Sequence, residues 1–171
     1  MKKNAAYWIE RLQLNQHIEG GYFRENYRSS ITIEQKNLPG NFGGDRSAST
    51  SIYFLLEKNQ FSALHRIAAD ELWHFYTGNC LVIYELTNDG SMKAHRLGND
   101  PEKGELFQVL IRAGNWFGAK LENGDGYALT GCTVAPGFDF ADFELADRAA
   151  LLEQYPQHAD IIRSLTGDRE T

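Results

Sequence analysis

The chain has 171 residues, a formal net charge of −6, 42% hydrophobic and 23% charged residues. That length and balance suit one globular domain and exclude a disordered chain. No basic run exceeds Lys2-Lys3, so a nucleic-acid surface is not expected, and no apolar stretch is long enough to span a membrane. Lys2-Lys3 are followed too soon by Glu10 and Arg11 to make a secretory leader, and Cys80 and Cys132 stand far apart in apolar contexts. The expectation is a cytoplasmic protein with two reduced thiols and no disulfide framework.

In chain order, residues 4–14 space Ala5, Trp8, Ile9 and Leu12 along one helical face, with Asn4 as cap. After Gly20-Gly21 the texture changes to short aromatic and β-branched runs: 22–27, 49–56, 62–67, 71–76, 81–86, 91–97, 106–111, 115–121 and 127–134. Asn88-Asp89-Gly90 predicts a hairpin between LVIYEL and SMKAHRL. The glycines of 38–47 read as a loop, because neither a lysine nor a helix start follows to hold a phosphate. The segment from Ala146 to Leu165 returns to helix, divided by Pro156. Many short strands at regular spacing, with helices only at the two ends, predict an all-β antiparallel sandwich or barrel in a single domain, residues 1–171.

The stretch HRIAADELWHFYTG, 65–78, concentrates the chemistry. Glu71-Leu72-Trp73-His74 has the spacing of a helical di-iron motif, but ELWHFY favours a strand, where i and i+3 face opposite ways. Strand parity puts Ala63, His65 and Ile67 on one inward face and Glu71, Trp73 and Phe75 on the next. His74 falls on the outer face with Leu72 and Tyr76 unless a bulge intervenes. There is no GxSxG elbow, Walker loop, GxGxxG turn or HExxH pair.

The spacing of His65, Glu71 and Gly78 resembles the first motif of the cupin superfamily, G(x)5HxH(x)3–4E(x)6G, with Ile67 in place of the second histidine and Asn59 in place of the leading glycine. Residues 112–117 resemble the second motif weakly: Gly114 is kept, Arg112 replaces proline, and Phe117 stands where a third histidine ligand would be. The phrases EGGYFRE (19–25), SIYFLL (51–56), WFGAKL (116–121) and GCTVAPGFDFADFELA (131–146) resemble those of a small, functionally uncharacterised cupin-like family. The resemblance implies a cupin-like double-stranded β-helix, or jelly-roll, with an N-terminal helix and C-terminal helices, commonly paired as a homodimer.

A cupin metal centre uses three histidines and a glutamate. With Ile67 and Phe117 at two of those places, only His65 and Glu71 remain, and no metal or other cofactor is expected. The candidate catalytic pair is His65 and Glu71, able to move a proton in an apolar barrel as in cupins that epimerise nucleotide-linked sugars. Phe61, Trp73, His74, Phe75, Trp116 and Phe117 are candidate ligand-binding residues for a small molecule, with Trp73 and Phe117 as the pocket floor and Arg24 as a clamp for an anionic group. Three functions stay open: an isomerase or epimerase of a sugar-like ligand, a non-catalytic binding or sensor protein, and a metal-dependent oxygenase-type cupin.

Overall fold

The computed structural model describes residues 3–167. Helix α1 (Ala5–Leu12) begins at Asn4, whose side chain accepts from the Tyr7 amide, and ends where Gln13 turns into the left-handed region. Thirteen strands follow: β1 (Asn15–Gln16), β2 (Tyr22–Arg28), β3 (Thr32–Ile33), β4 (Arg46–Ser47), β5 (Thr50–Glu57), β6 (Phe61–Arg66), β7 (Asp70–Gly78), β8 (Leu81–Leu86), β9 (Met92–Leu97), β10 (Gln108–Ile111), β11 (Trp116–Leu121), β12 (Tyr127–Ala135) and β13 (Glu144–Leu145). Helices α2 (Arg148–Gln154) and α3 (Ala159–Ser164) close the described chain on either side of a short turn opened by Pro156.

The strands form two antiparallel sheets in the order β1-β2-β5-β12-β7-β10 and β13-β6-β11-β8-β9, with β3-β4 a separate ribbon. This is the predicted jelly-roll. The expected hairpin joins β8 to β9, with Gly90 at a φ of 84° in its turn. Between the sheets lies an apolar core that includes Phe54, Leu56, Trp73, Leu81, Ile83, Val109, Ile111, Phe117 and Cys132. Leu64, Trp116, Leu151, Tyr155 and Ile162 form a second cluster that seats α2 and α3 on the outside of β6 and β11. Among the described residues no helix is long and apolar enough to cross a membrane.

One register detail departs from the parity expectation. The β6–β11 pairing shifts between Phe117↔His65 and Ala119↔Ser62, so a bulge separates Ser62 from His65. The extra residue puts both on the inward side, three apart, as a regular strand cannot. Ser62, not Ala63, therefore shares the inward face with His65: Ser62 is buried and bonded to Glu19, whereas Ala63 lines a different cavity. Gly118 allows this close approach, because a Cβ there would stand 2.8 Å from the Ser62 carbonyl oxygen.

Candidate functional site

At one end of the barrel a cavity of about 250 Å³ opens between β2, β5, β6, β7 and β12. His65 and Glu71 both line it, as parity predicts, but two further groups join them: His17 and Glu19, from the segment leading into β2. That segment enters the barrel because Gly20 and Gly21 adopt φ values of 108° and 74°. A Cβ on Gly20 would collide with the Phe61 carbonyl, and one on Gly21 would stand 2.7 Å from the Leu55 carbonyl oxygen. Only glycine permits both the left-handed turn and the contact.

Glu19 holds the network together. Its Oε1 accepts from the Ser62 hydroxyl at 3.0 Å, and its Oε2 lies 3.1 Å from His65 Nδ1. The same Nδ1 is 2.7 Å from the Ala63 carbonyl oxygen, which can only accept, so Nδ1 carries the proton. Nε2 is then the basic nitrogen of neutral His65, and it has no hydrogen-bond partner among the described residues. His17 Nδ1 accepts from the Glu19 amide at 3.2 Å and faces its carboxylate at 3.7 Å, its ring edge-on to Phe23. Glu71 stands across the cavity with the Cys132 thiol beside it. The partner that touches His65 is thus Glu19, while Glu71 acts on it through its charge.

Burial governs the protonation of this cluster. It raises Glu19 to about 7, against the opposing influence of His17 and the Ser62 hydrogen bond. It also raises Glu71 to about 7, with His65 pulling it down and Glu19 adding to the rise. Burial lowers His65, opposed by Glu71 and by the Ala63 carbonyl, and it lowers His17 against the pull of Glu19. The Cys132 thiol is pushed well above its ordinary range, again by burial and then by Glu71, so it is no nucleophile. Two acids that titrate near neutrality beside a neutral imidazole can each give or take a proton at small cost.

The remaining candidates sit elsewhere. Trp73 and Phe117 are buried in the packed core; Phe117 backs His65 at 4.1 Å between ring centres, but neither ring lines the cavity. Phe75 packs against the same core, and Trp116 lies in the helix-facing cluster with the Arg66 guanidinium 4.4 Å above its ring. Phe61 lines a separate cavity of about 800 Å³ on the other side of Glu19. His74 is on the outer face, bonded to Thr133 Oγ1 at 3.0 Å and Gln108 Nε2 at 3.1 Å. Arg24 is exposed and ties down the end of α1 through the Leu12 carbonyl and the Gln13 side chain.

The aromatic lining comes instead from Phe23 and from Phe138, Phe140 and Phe143, in the turn between β12 and β13. This turn is anchored by the buried Arg46–Asp142 pair at 2.5 Å and by the Phe138 amide donating to Thr50 Oγ1 at 2.9 Å. In the sequence, the signals for this lining are the Gly-Gly pair after Glu19 and the phenylalanine spacing in PGFDFADF.

His17, Glu19, His65 and Glu71 are donor types that a metal accepts, but their arrangement does not fit one. Both Glu19 oxygens are committed to protein partners, and His65 offers a metal only its Nε2, because Nδ1 is tied to Ala63 and Glu19. Among the described residues, the one trio with ligand atoms within 4.8 Å of one another is Cys80, Glu105 and Glu122, none of which lines this cavity. A catalytic centre needs about three converging ligands.

Comparison with known proteins agrees with this architecture. The chain is 33% identical to the uncharacterized protein YML079W of Saccharomyces cerevisiae over 145 residues, covering 78% of this chain and 71% of that one. Among solved structures it is similar to protein SO0799 from Shewanella oneidensis, at 39% identity and a TM-score of 0.89, covering 98% of this chain and all of that one. A hypothetical protein from Leishmania major is 35% identical, with a TM-score of 0.87, 97% of this chain and 100% of that one covered. An oxalate decarboxylase variant from Bacillus subtilis shares the fold alone, at 15% identity and a TM-score of 0.55 over 91% of this chain and 38% of the enzyme. The family described as "Cupin superfamily (DUF985)" matches residues 6–146, and the chain belongs to it.

Proposed function

We propose that this cupin is a metal-independent proton-transfer catalyst of the isomerase or epimerase type, acting on a small carbonyl compound held in the 250 Å³ cavity. The observation that supports this reading best is the orientation of His65. Its Nδ1 is tied to Ala63 and Glu19, which leaves Nε2 as a base in a cavity faced by Glu71. In the proposed step, Nε2 takes a proton from the carbon beside the carbonyl while the C–H electron pair moves into the forming enol. Protonated Glu71 gives its proton to the carbonyl oxygen. Glu19 stabilises the imidazolium through Nδ1, as the carboxylate of a catalytic triad does. Return of a proton to carbon from the imidazolium, and of the enol proton to Glu71, closes the cycle without net gain or loss. Return of the proton to the opposite face of that carbon yields the epimer; in a hydroxycarbonyl compound, delivery to the former carbonyl carbon instead, with Glu71 taking the proton of the neighbouring hydroxyl, yields the isomer.

The test begins with any ligand retained through purification, released by denaturation, identified by mass spectrometry and returned to the protein in D2O. Deuterium is expected at one carbon, and His65→Ala should slow its incorporation by about 10²–10⁴-fold while still holding the ligand. Binding without incorporation in the unmodified protein would reduce the site to a receptor. Stoichiometric iron, manganese, nickel or zinc in elemental analysis would overturn the metal-independent reading.

A further inference from the structure

The charge of the cavity limits what can enter it. Its acids are Glu19 and Glu71 inside and Glu25 and Asp139 toward the mouth. The one permanent cation among the described lining residues is Arg28, and its guanidinium is already engaged. Nε and Nη2 donate to the two Glu25 oxygens at 2.9 and 2.7 Å, and Nη1 and Nη2 both reach the Phe138 carbonyl at 3.2 Å. The two histidines are held neutral by burial. An anion entering here would leave water for a cavity of acids with no free cation to receive it, which low-dielectric surroundings penalise severely.

The mouth has the complementary property. Phe138, Phe140 and Phe143 stand edge-to-face with ring centres 5.0 to 6.2 Å apart, and Phe143 lies 5.2 Å from the His65 ring. Phe140 remains 55% exposed, a large apolar ring that core packing does not account for. Aromatic faces beside carboxylates are the chemistry that recognises organic ammonium groups, because ring quadrupole and acid attract the same charge. Glu19 and Glu71 supply the matching negative charge inside, while His65 Nε2, unpartnered on a side chain only 4% exposed, stays free for the C–H bond.

We propose that the cavity selects a small organic cation, an ammonium-bearing molecule, over neutral or anionic compounds of the same shape. This rests on the reading above that the cavity is the ligand site, and it names the ligand class. A positive nitrogen next to the reacting carbon would also acidify its C–H bond, which suits the proton transfer assigned to His65.

Three probes with one tert-butyl body test it by calorimetry at mildly alkaline pH: tert-butylammonium, tert-butanol and pivalate. The ammonium should bind at least about tenfold tighter than the alcohol, and pivalate weaker than either. Glu71→Gln should erase most of the ammonium preference while leaving alcohol binding within about twofold, since the amide keeps the shape and loses the charge. Glu19→Gln provides a second reading should that variant fail to fold, and the series on the unmodified protein needs neither. Pivalate binding as tightly as the ammonium overturns the charge class yet leaves proton transfer standing, because the cavity still takes a ligand. An ammonium preference untouched by both glutamine variants places the cation elsewhere and overturns the assignment. Failure of all three probes to bind overturns it together with the cavity reading.

Discussion

The barrel has two interiors built on the same strands. Strand β7 supplies Glu71 to the cavity and Trp73 to the packed core two residues later; β12 supplies Cys132 where the two meet and Ala128 deep in the core. One half is closed by interlocking Phe54, Trp73, Phe117, Leu81 and Ile83. The other keeps Glu19, His65 and Glu71 buried around the cavity, with the half-buried His17 beside them. Burying ionisable groups costs stability unless they pair or change protonation, and here they do both. The packed half holds the fold together, and the open half spends part of that stability to keep proton-active groups at hand.

The largest expected effect separates the halves directly. Phe54→Ala, in the packed half, removes a ring with 1% exposure and should lower stability by about 3–5 kcal/mol in a denaturant titration. Phe143→Ala, at the mouth of the open half, should lose less than about half as much, since its ring already borders a cavity. Equal losses would mean that the mouth aromatics are structural, and that the division between the halves is false.

What the sequence made legible follows the same division. Period-two patterning and the Asn-Asp-Gly turn place β5 to β12 within a residue or two, because these signals come from local backbone preference and one-sided burial. Parity correctly turns His65 and Glu71 inward and His74 outward. It fails at Ala63, where a bulge is decided by contact with β11 and Gly118, far away in the chain. Assigning Trp73 and Phe117 to the pocket floor fails because an inward aromatic can fill a barrel or line one, and only the other strands settle which. Glu19 and His17 escape because they lie outside any long strand and reach the site through a tertiary fold-back at Gly20-Gly21.

The pH dependence of stability sharpens the contrast next. Glu19 and Glu71 rise from 4.5 in the unfolded chain to about 7 in the fold, so their contribution is complete below pH 4.5 and is lost as pH climbs through 7. His17 and His65 shift the other way from 6.5: their contribution is present above that value and is lost as pH falls through their folded values. The acids therefore make the protein less stable from weakly acidic to weakly alkaline solution. Glu71→Gln removes one acid's share, flattening that decline by about 3 kcal/mol, the equivalent of its shift. Thermal melts of both proteins across this range measure the difference. Parallel curves would show that the open half carries no buried, strained acid.

The smallest effect probes the boundary between the halves. The Trp73 indole Nε1 is buried without a partner among the described residues, although the residue sits wholly in the packed core. Trp73→Phe removes that orphan donor, worth about 1–3 kcal/mol when left unsatisfied, and with it part of a well-packed ring system. Lost packing and relieved desolvation oppose one another, so the net change should stay within about 1 kcal/mol, well below the cost of Phe54→Ala. A loss as large as that of Phe54→Ala would show that the indole N–H is satisfied in solution, by water or ligand reaching past Phe117. In that event the polar half would extend into the core, and Trp73 would join His65 and Glu71 as part of the site.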